Sequence, residues 1–372
     1  MKNIIKKKNA KKKIVALVCM SFHEMAGGIE RQIIRTTIEL RQLGFNTLLL
    51  SFDNEDAESF FDMPSDVKWI KCGFGLQPFG YASKIERIRQ IYMLRKVIVR
   101  NQITDIITFH HGLYPRILLA SCFLNLNNIV SERNSLANYK FIKLSKFNIG
   151  FLSLFFAKKI TVQLEQYIKD YPRILQNKIS VVPNFVKQPI RYYEEPNFNS
   201  LVVSMLGRLS YQKNFEPFLD QLNEISFKRK INLKVKIAGD GELMSVFKNK
   251  YSHLIDNGVL ELLGKIKDVD DFLRNSSLFC FPSLWEGYPN ALAEALRIGL
   301  PVVISKRLST LNQFVEHNFN GLVVDDNEIF IKTENLINNK KLLNKMSKNS
   351  FLKYQNLYSN SPLETWDMIL KN

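Results

Sequence analysis

Cysteine is scarce in this chain of 372 residues: Cys19, Cys72, Cys122 and Cys280 stand far apart, with no C-x-x-C pair. A disulfide framework is excluded, and five histidines add no zinc-site spacing, so no metal site is expected. Long apolar runs are also missing. The longest, Ile149 to Ala157, is about half of the roughly 20 residues that a bilayer crossing needs, so no spanning helix is expected. The basic start MKNIIKKKNAKKK, followed by the short apolar run Ile14 to Met20, imitates a signal peptide. Ser21-Phe22-His23-Glu24 is no small-residue cleavage site, however, and the run serves better as a first buried strand. The expected setting is reducing and cytoplasmic. No internal repeat or low-complexity tract is evident beyond the Lys-rich residues 1–12, expected to be disordered.

Acidic residues are outnumbered, 35 against 52 Lys and Arg, for a net charge of +17. The excess is uneven: residues 1–185 hold 28 Lys and Arg against 14 Asp and Glu, and the rest hold 24 against 21. A basic half suits an anionic bilayer, an acidic substrate or nucleic acid. No nucleic-acid module or base-stacking motif is present, so nucleic acid is not an expected partner. The length and a hydrophobic content of 46% suit two globular domains, each with its own core.

Short continuous apolar runs, the mark of strands buried on both faces, recur along the chain. They fall at Ile14–Met20, Thr47–Phe52, Asp105–Phe109, Asn128–Ser131, Ile160–Gln163 and Ile179–Val182, then from Leu201 to Val324. Helical spacing lies between them, at Ile29–Leu43 before Gly44 and at Lys84–Arg100. Strand, glycine-rich turn, helix, strand is a βαβ unit of an open parallel sheet. The expected plan is an N-terminal domain over 13–185, a linker over 186–199 with Pro189 and Pro196, and a C-terminal domain over 200–358. The final segment, 359–372, is expected as an amphipathic helix packing back on the first domain.

The stretch FPSLWEGYPNALAEALRIGLPVVIS, Phe281 to Ser305, reads as strand, loop, helix, strand. Pro289 and Asn290 suit a helix start, where main-chain N–H groups and the helix dipole bind anions. Glu286 in the loop and Glu294 one turn into the helix add acceptors able to grip neighbouring hydroxyls. Phosphate and hydroxyls together point to a nucleotide sugar. Further upstream, Gly207, Arg208 and Lys213 stand in GRLSYQKNF, with an Arg and a Lys of the types that stabilise a departing diphosphate. Acidic runs at 53–56 and 268–271 follow no strand in the place a metal-binding motif would need.

EGYPNALAEAL, with Glu286 and Glu294 as E-x7-E, and G-R-x-x-x-x-K at Gly207, Arg208 and Lys213 resemble the retaining glycosyltransferases of family 4. The resemblance spans nearly the whole chain, with its specific motifs between 201 and 325. It implies the α/β GT-B fold, two Rossmann-like doubly wound domains with the donor in the cleft. It implies donor-binding roles for Gly27 and Gly28 (in Gly-Gly-x-Glu, with Glu30), Gly207, Arg208, Lys213, Ile266, Glu286, Gly287, Tyr288, Pro289, Asn290 and Glu294. Of the pair His110–His111 at the end of a strand, one is implied to bond a donor sugar hydroxyl, with His111 placed first. Catalytic roles then fall to Glu286, Arg208, Lys213 and His111. Retention by front-face attack, with the donor phosphate taking the acceptor proton, calls for no enzyme nucleophile, no metal and no cofactor. Ser131-Glu132-Arg133-Asn134 resembles turns in members that build bacterial surface glycans. The usual Gly-Pro-x-Glu turn is replaced by Thr310-Leu311-Asn312-Gln313, whose helix is still expected.

The expected function is transfer of a hexose or N-acetylhexosamine, from a UDP donor before a GDP donor, to a lipid-linked glycan in surface polysaccharide synthesis. A soluble acceptor, or a nucleotide-sugar epimerase on the same scaffold, is the alternative. Lysines 140, 143, 146, 158 and 159 interleaved with Tyr139, Phe141, Phe147, Phe151, Phe155 and Phe156 suggest peripheral docking on an anionic membrane, at its inner face.

Overall fold

The computed structural model describes residues 13–25, 27–76, 81–136, 148–184, 201–358 and 362–371. The expected disordered start, the linker over 186–199 and the first part of the aromatic and lysine stretch lie outside the described residues. The chain forms two compact units, Met1–Phe185 with Pro362–Asn372, and Val186–Ser361.

The first unit runs β1 (Ile14–Val18), α1 (Gly28–Gln42), β2 (Asn46–Ser51), β3 (Lys68–Lys71), α2 (Lys84–Arg100), β4 (Asp105–Phe109), α3 (Tyr114–Ser121), β5 (Asn127–Ser131), α4 (Ile149–Ser153), β6 (Lys159–Val162), α5 (Arg173–Gln176) and β7 (Ile179–Val181). Its seven strands are parallel, in the order β3-β2-β1-β4-β5-β6-β7. Order reverses between β1 and β4, the switch point of a doubly wound sheet. The strands read as apolar runs because both faces are covered: Val15, Leu17, Ile106, Ile107, Ile129 and Ile160 are buried.

The second unit runs β8 (Val202–Leu206), α6 (Glu216–Ser226), β9 (Lys234–Ala238), α7 (Met244–Lys250), α8 (Ser252–Asp256), β10 (Leu260–Gly264), α9 (Val269–Arg274), β11 (Leu278–Phe281), α10 (Asn290–Ile298), β12 (Val302–Ser305), β13 (Gly321–Val324), α11 (Ile329–Ile337) and α12 (Lys340–Leu357). Its six parallel strands follow the order β10-β9-β8-β11-β12-β13, with the switch point between β8 and β11. Lys306–Leu311 is a 3-10 segment and no α-helix follows it before β13, so the helix expected around Gln313 is replaced by turns.

The last helix, α13 (Pro362–Lys371), belongs to the first unit. Its Trp366, Ile369 and Leu370 join the cluster of Val15, Leu17, Ile33 and Leu40, and Lys13 Nζ donates to the Leu370 carbonyl. Phe151 is also core, only 8% exposed, so of the phenylalanines expected at a membrane that are described, Phe151, Phe155 and Phe156, it is withdrawn, whereas Phe156 is 71% exposed. The reason is local. Asn148 caps α4 by accepting from Phe151 N, which fixes the helix start and turns that position inward.

Candidate active site

At the switch point of the second unit, the segments leaving β8 and β11 diverge to opposite halves of the sheet, and their first residues stay together. Leu284 N donates to Gln212 O at 2.9 Å, Gln212 Nε2 to Trp285 O at 2.8 Å, and Asn214 Nδ2 to Pro282 O at 3.2 Å. The effect is to place Lys213 Nζ 2.7 Å from Glu286 Oε1, with the two side chains 15% and 7% exposed. The ammonium also lies 5.2 Å from the Phe281 ring centroid. Gly207 is required here: at φ 156° it turns the chain, and a Cβ would stand 2.7 Å from Lys213 Cε. Arg208, the next residue, is exposed and makes no ion pair among the described residues. A paired Lys and an exposed Arg thus stand just beyond the end of β8.

The loop after β11 continues into α10. Pro289 is its N-cap with no side-chain acceptor, and Asn290 its first residue; Gly299, in the left-handed region at φ 82°, ends it. Glu294 is not a solvated helix carboxylate: it is 3% exposed, on a helix buried nearly all round. Arg297, also buried, reaches Asp270 of α9 at 2.5 Å and ties α10 to the segment after β10. Ile266, half-buried, lies in that segment. Tyr288 turns its ring into the core, edge-on to Phe314, and its hydroxyl meets that of Tyr358 at the end of α12. Burial pushes the phenols of both tyrosines up, so neither ionises in the physiological range. At position 288 the loop therefore offers main chain, as it does at Gly287.

In the first unit the corresponding switch point lies between β1 and β4. After β1, Ser21 Oγ and Phe22 N donate to Asp53, which follows β2 and also accepts from Ser51 Oγ, fixing the turn that leads to Gly27 and Gly28 at the start of α1. The Glu30 carboxylate folds back over this start, where a Cβ on Gly27 would stand 2.1 Å from Oε2. After β4 come His110 and His111, rings stacked at 4.4 Å. His110 has φ 86°, a strained value for a residue with a side chain. Burial holds its pKa below the ordinary value, partly countered by Glu132.

His111 is 1% exposed and faces Glu132 of the β5 end, whose two carboxylate oxygens lie 3.0 and 3.1 Å from Nδ1. Ligand-type atoms of His110, His111 and Glu132 lie within 4.8 Å of one another, but Glu132 turns both oxygens to His111, and His110 Nδ1 accepts from Gly112 N. Arg133, next in the chain, is buried against the Phe109 ring and donates to Asn184 Oδ1; burial lowers its pKa to about 9, so it stays cationic at neutral pH.

Sequence reasoning did not foresee the buried contacts of Glu132 with His111, Arg133 with Asn184, or Tyr358 with Tyr288. Glu132 and Arg133 stood in a noted turn; Tyr358 had no local signal at all.

Residues 188–353 match the sequence family described as glycosyl transferases group 1. An Escherichia coli UDP-Gal:alpha-D-GlcNAc-diphosphoundecaprenol alpha-1,3-galactosyltransferase is 39% identical over 157 residues, 41% of this chain. The chain spans 40% of that relative's length. An uncharacterized glycosyltransferase of Haemophilus influenzae is 26% identical over 93% of this chain and 96% of its own. Among solved structures, Anabaena HepE in complex with UDP superposes with a TM-score of 0.74 at 17% identity, covering 96% of this chain and 99% of that one.

Proposed function

From a chain of the GT-B fold that carries a group 1 glycosyl transferase domain in its second unit, we infer a retaining transfer of a hexose or N-acetylhexosamine from UDP-sugar to a lipid-linked glycan of bacterial surface polysaccharide. The observation that carries the reading is the Lys213–Glu286 pair at the β8/β11 switch point, with Arg208 open beside it. When the sugar leaves, the nucleoside diphosphate gains negative charge; Arg208 takes it by a bidentate fork and Lys213 as a point charge already in place. These cations do the work that a metal would do elsewhere, so the reaction is read as metal-independent. Glu286, next to Lys213, faces the sugar, and Glu294 the ribose hydroxyls. Support for a uridine donor and a lipid-linked acceptor comes from relatives: the Anabaena protein holds UDP, and the E. coli enzyme is named for a UDP-Gal donor and a diphosphoundecaprenol acceptor.

The donor assignment is tested by heat. A ligand that binds only the folded state raises its Tm. UDP should do so more than GDP or ADP, and Glu294→Ala should weaken UDP roughly 10- to 100-fold while leaving the unliganded Tm near its starting value, the worth of a charged hydrogen bond. An unchanged UDP response in the variant would remove Glu294 from the nucleotide site.

The first unit is read as docking on an anionic membrane surface. No helix among the described residues is long and apolar enough to cross a membrane. Instead, α2 packs on α3 and α3 on α4, and Ile85, Ile88, Tyr92, Leu119, Ile149, Leu152 and Phe156 are exposed on these elements and the turn after α4. Helix α2 bears six cations and one acid, Glu86. Each Lys or Arg near an anionic surface contributes about 1 kcal/mol, and the apolar side chains add a part that salt does not screen. In flotation, the protein should rise with anionic vesicles, and high salt should release only part of it. Equal flotation with neutral vesicles at low salt would reduce the basic half to a solubility feature.

A further inference from the structure

Within the second unit, four loops are tied together beside the Lys213–Glu286 pair. Asp326, just beyond β13, accepts from Ser305 Oγ at the end of β12 at 2.5 Å and from Arg307 Nε at 2.8 Å. Asn214, in the left-handed region at φ 52°, brings the loop after β8 to the same carboxylate at 3.5 Å and to Pro282 O, just after β11, at 3.2 Å. Neighbouring parallel strands thus bring their carboxyl ends to one place, the side of an open α/β sheet where ligands bind.

Two kinds of side chain stand out from this frame. The Arg307 side chain is 62% exposed, yet the bond to Asp326 orders it, and its terminal nitrogens meet no acceptor among the described residues. Asp326 raises its pKa, chiefly through that bond, and the Tyr211 phenol adds to the effect from close by. Tyr211 is itself 70% exposed, its ring 6.1 Å from that of half-buried Trp285 and inclined at 55°. Gln212 between them fixes the wedge, since its carbonyl accepts from Leu284 N and its side chain donates to Trp285 O. An aromatic face in water suits the apolar C–H face of a pyranose, and an ordered guanidinium suits the hydroxyls around its rim.

Strand order separates this wedge from the nucleotide. Along β10-β9-β8-β11-β12-β13, Ile266 follows β10 at one edge, Lys213 and Glu286 follow β8 and β11 in the middle, and Arg307 and Asp326 follow β12 and β13 on the other side. With Ile266 as a donor residue, the nucleoside extends toward β10. Glu286 takes the donor sugar, so a ring lying toward β12 belongs to the second substrate.

We propose that Tyr211, Trp285 and Arg307 form a saccharide subsite of the second unit, where a ring of the glycan acceptor lies on the Tyr211 face and its hydroxyl oxygen accepts from Arg307. This rests on the reading of the chain as a transferase with a glycan acceptor and a donor placed as above.

The test needs no turnover at its first step. The full chain labelled with ¹⁵N-tryptophan gives indole signals for Trp69, Trp285 and Trp366, and Trp285→Phe assigns the one of interest. With UDP present, methyl glycosides of glucose, galactose, N-acetylglucosamine or N-acetylgalactosamine should shift the Trp285 signal, and Tyr211→Ala should weaken that binding roughly 10-fold. In turnover, Tyr211→Ala and Arg307→Ala should each raise the acceptor KM roughly 10-fold while the donor KM and the UDP-induced rise in Tm stay in place. Tyr211→Phe, which keeps the ring, should recover most of the loss. No shift of the Trp285 signal with any of the four glycosides would overturn the proposal, and wild type alone decides that. So would a donor KM raised while the acceptor KM stays put, which would move the wedge to the nucleotide sugar. If the glycosides shift the signal but no sugar is transferred, the functional reading fails and the saccharide subsite remains.

Discussion

Lys213→Ala should lower turnover by on the order of 10² or more and also lower the Tm, whereas Arg208→Ala should lower turnover as much and leave the Tm in place. The difference follows from their surroundings. Lys213 does two jobs: it stands ready for the diphosphate, and it neutralises Glu286, whose side chain is 7% exposed. Removing one partner of a fully buried pair costs about 3–5 kcal/mol; with Lys213 at 15% exposure, solvent would return part of that. Arg208 is exposed and pairs with no acid among the described residues, so its loss removes transition-state charge stabilisation and little else. The double variant Lys213→Ala with Glu286→Gln should regain Tm but not turnover. Radiolabelled sugar transfer to a lipid extract, run with EDTA present, measures the rate. Turnover lost with chelator and restored by Mn²⁺ or Mg²⁺ would mean that a metal carries this charge instead.

Trp366→Ala should cost about 3–5 kcal/mol in the first unit and nothing in the second. Trp366 is 1% exposed, lies far from β1 in sequence and shares a cluster with Val15, Leu17, Ile33 and Leu40, so truncation opens a cavity between α13 and the elements it covers. Two units with separate cores need not unfold together. Denaturant unfolding should therefore show one transition moved to lower concentration and one unmoved, with UDP still protecting the latter. A variant in which neither transition moves would mean that α13 is an ornament on a unit stable without it.

Much of the fold was legible because its signals are local. A strand covered on both faces must be apolar throughout, and β4 falls on the expected residues Asp105–Phe109. A helix start needs Pro or a cap, and Pro289-Asn290 opens α10. The same locality made Glu286, Glu294, Arg208 and Lys213 stand out, since each lies in a short run whose spacing is fixed by one loop or one helical turn. Face selection was less legible: in the aromatic stretch, Phe151 and Phe156 look alike, yet the first ring, in α4, is buried and the second, in the 3-10 turn after it, is exposed.

By itself, then, the sequence determined which segments are strands and helices and which residues stand at strand ends, because backbone sterics and burial act over a few neighbours. Tertiary structure alone decided which of those ends meet. Lys213 and Glu286 are 73 positions apart, His111 and Glu132 are 21, and Tyr288 and Tyr358 are 70. The first two meetings depend on strand order, β8 beside β11 and β5 next to β4, and the third on α12 packing against α10. That order is set by which crossovers bury the most apolar surface on each face of a sheet, a property of the whole unit that leaves no mark in any short window of residues.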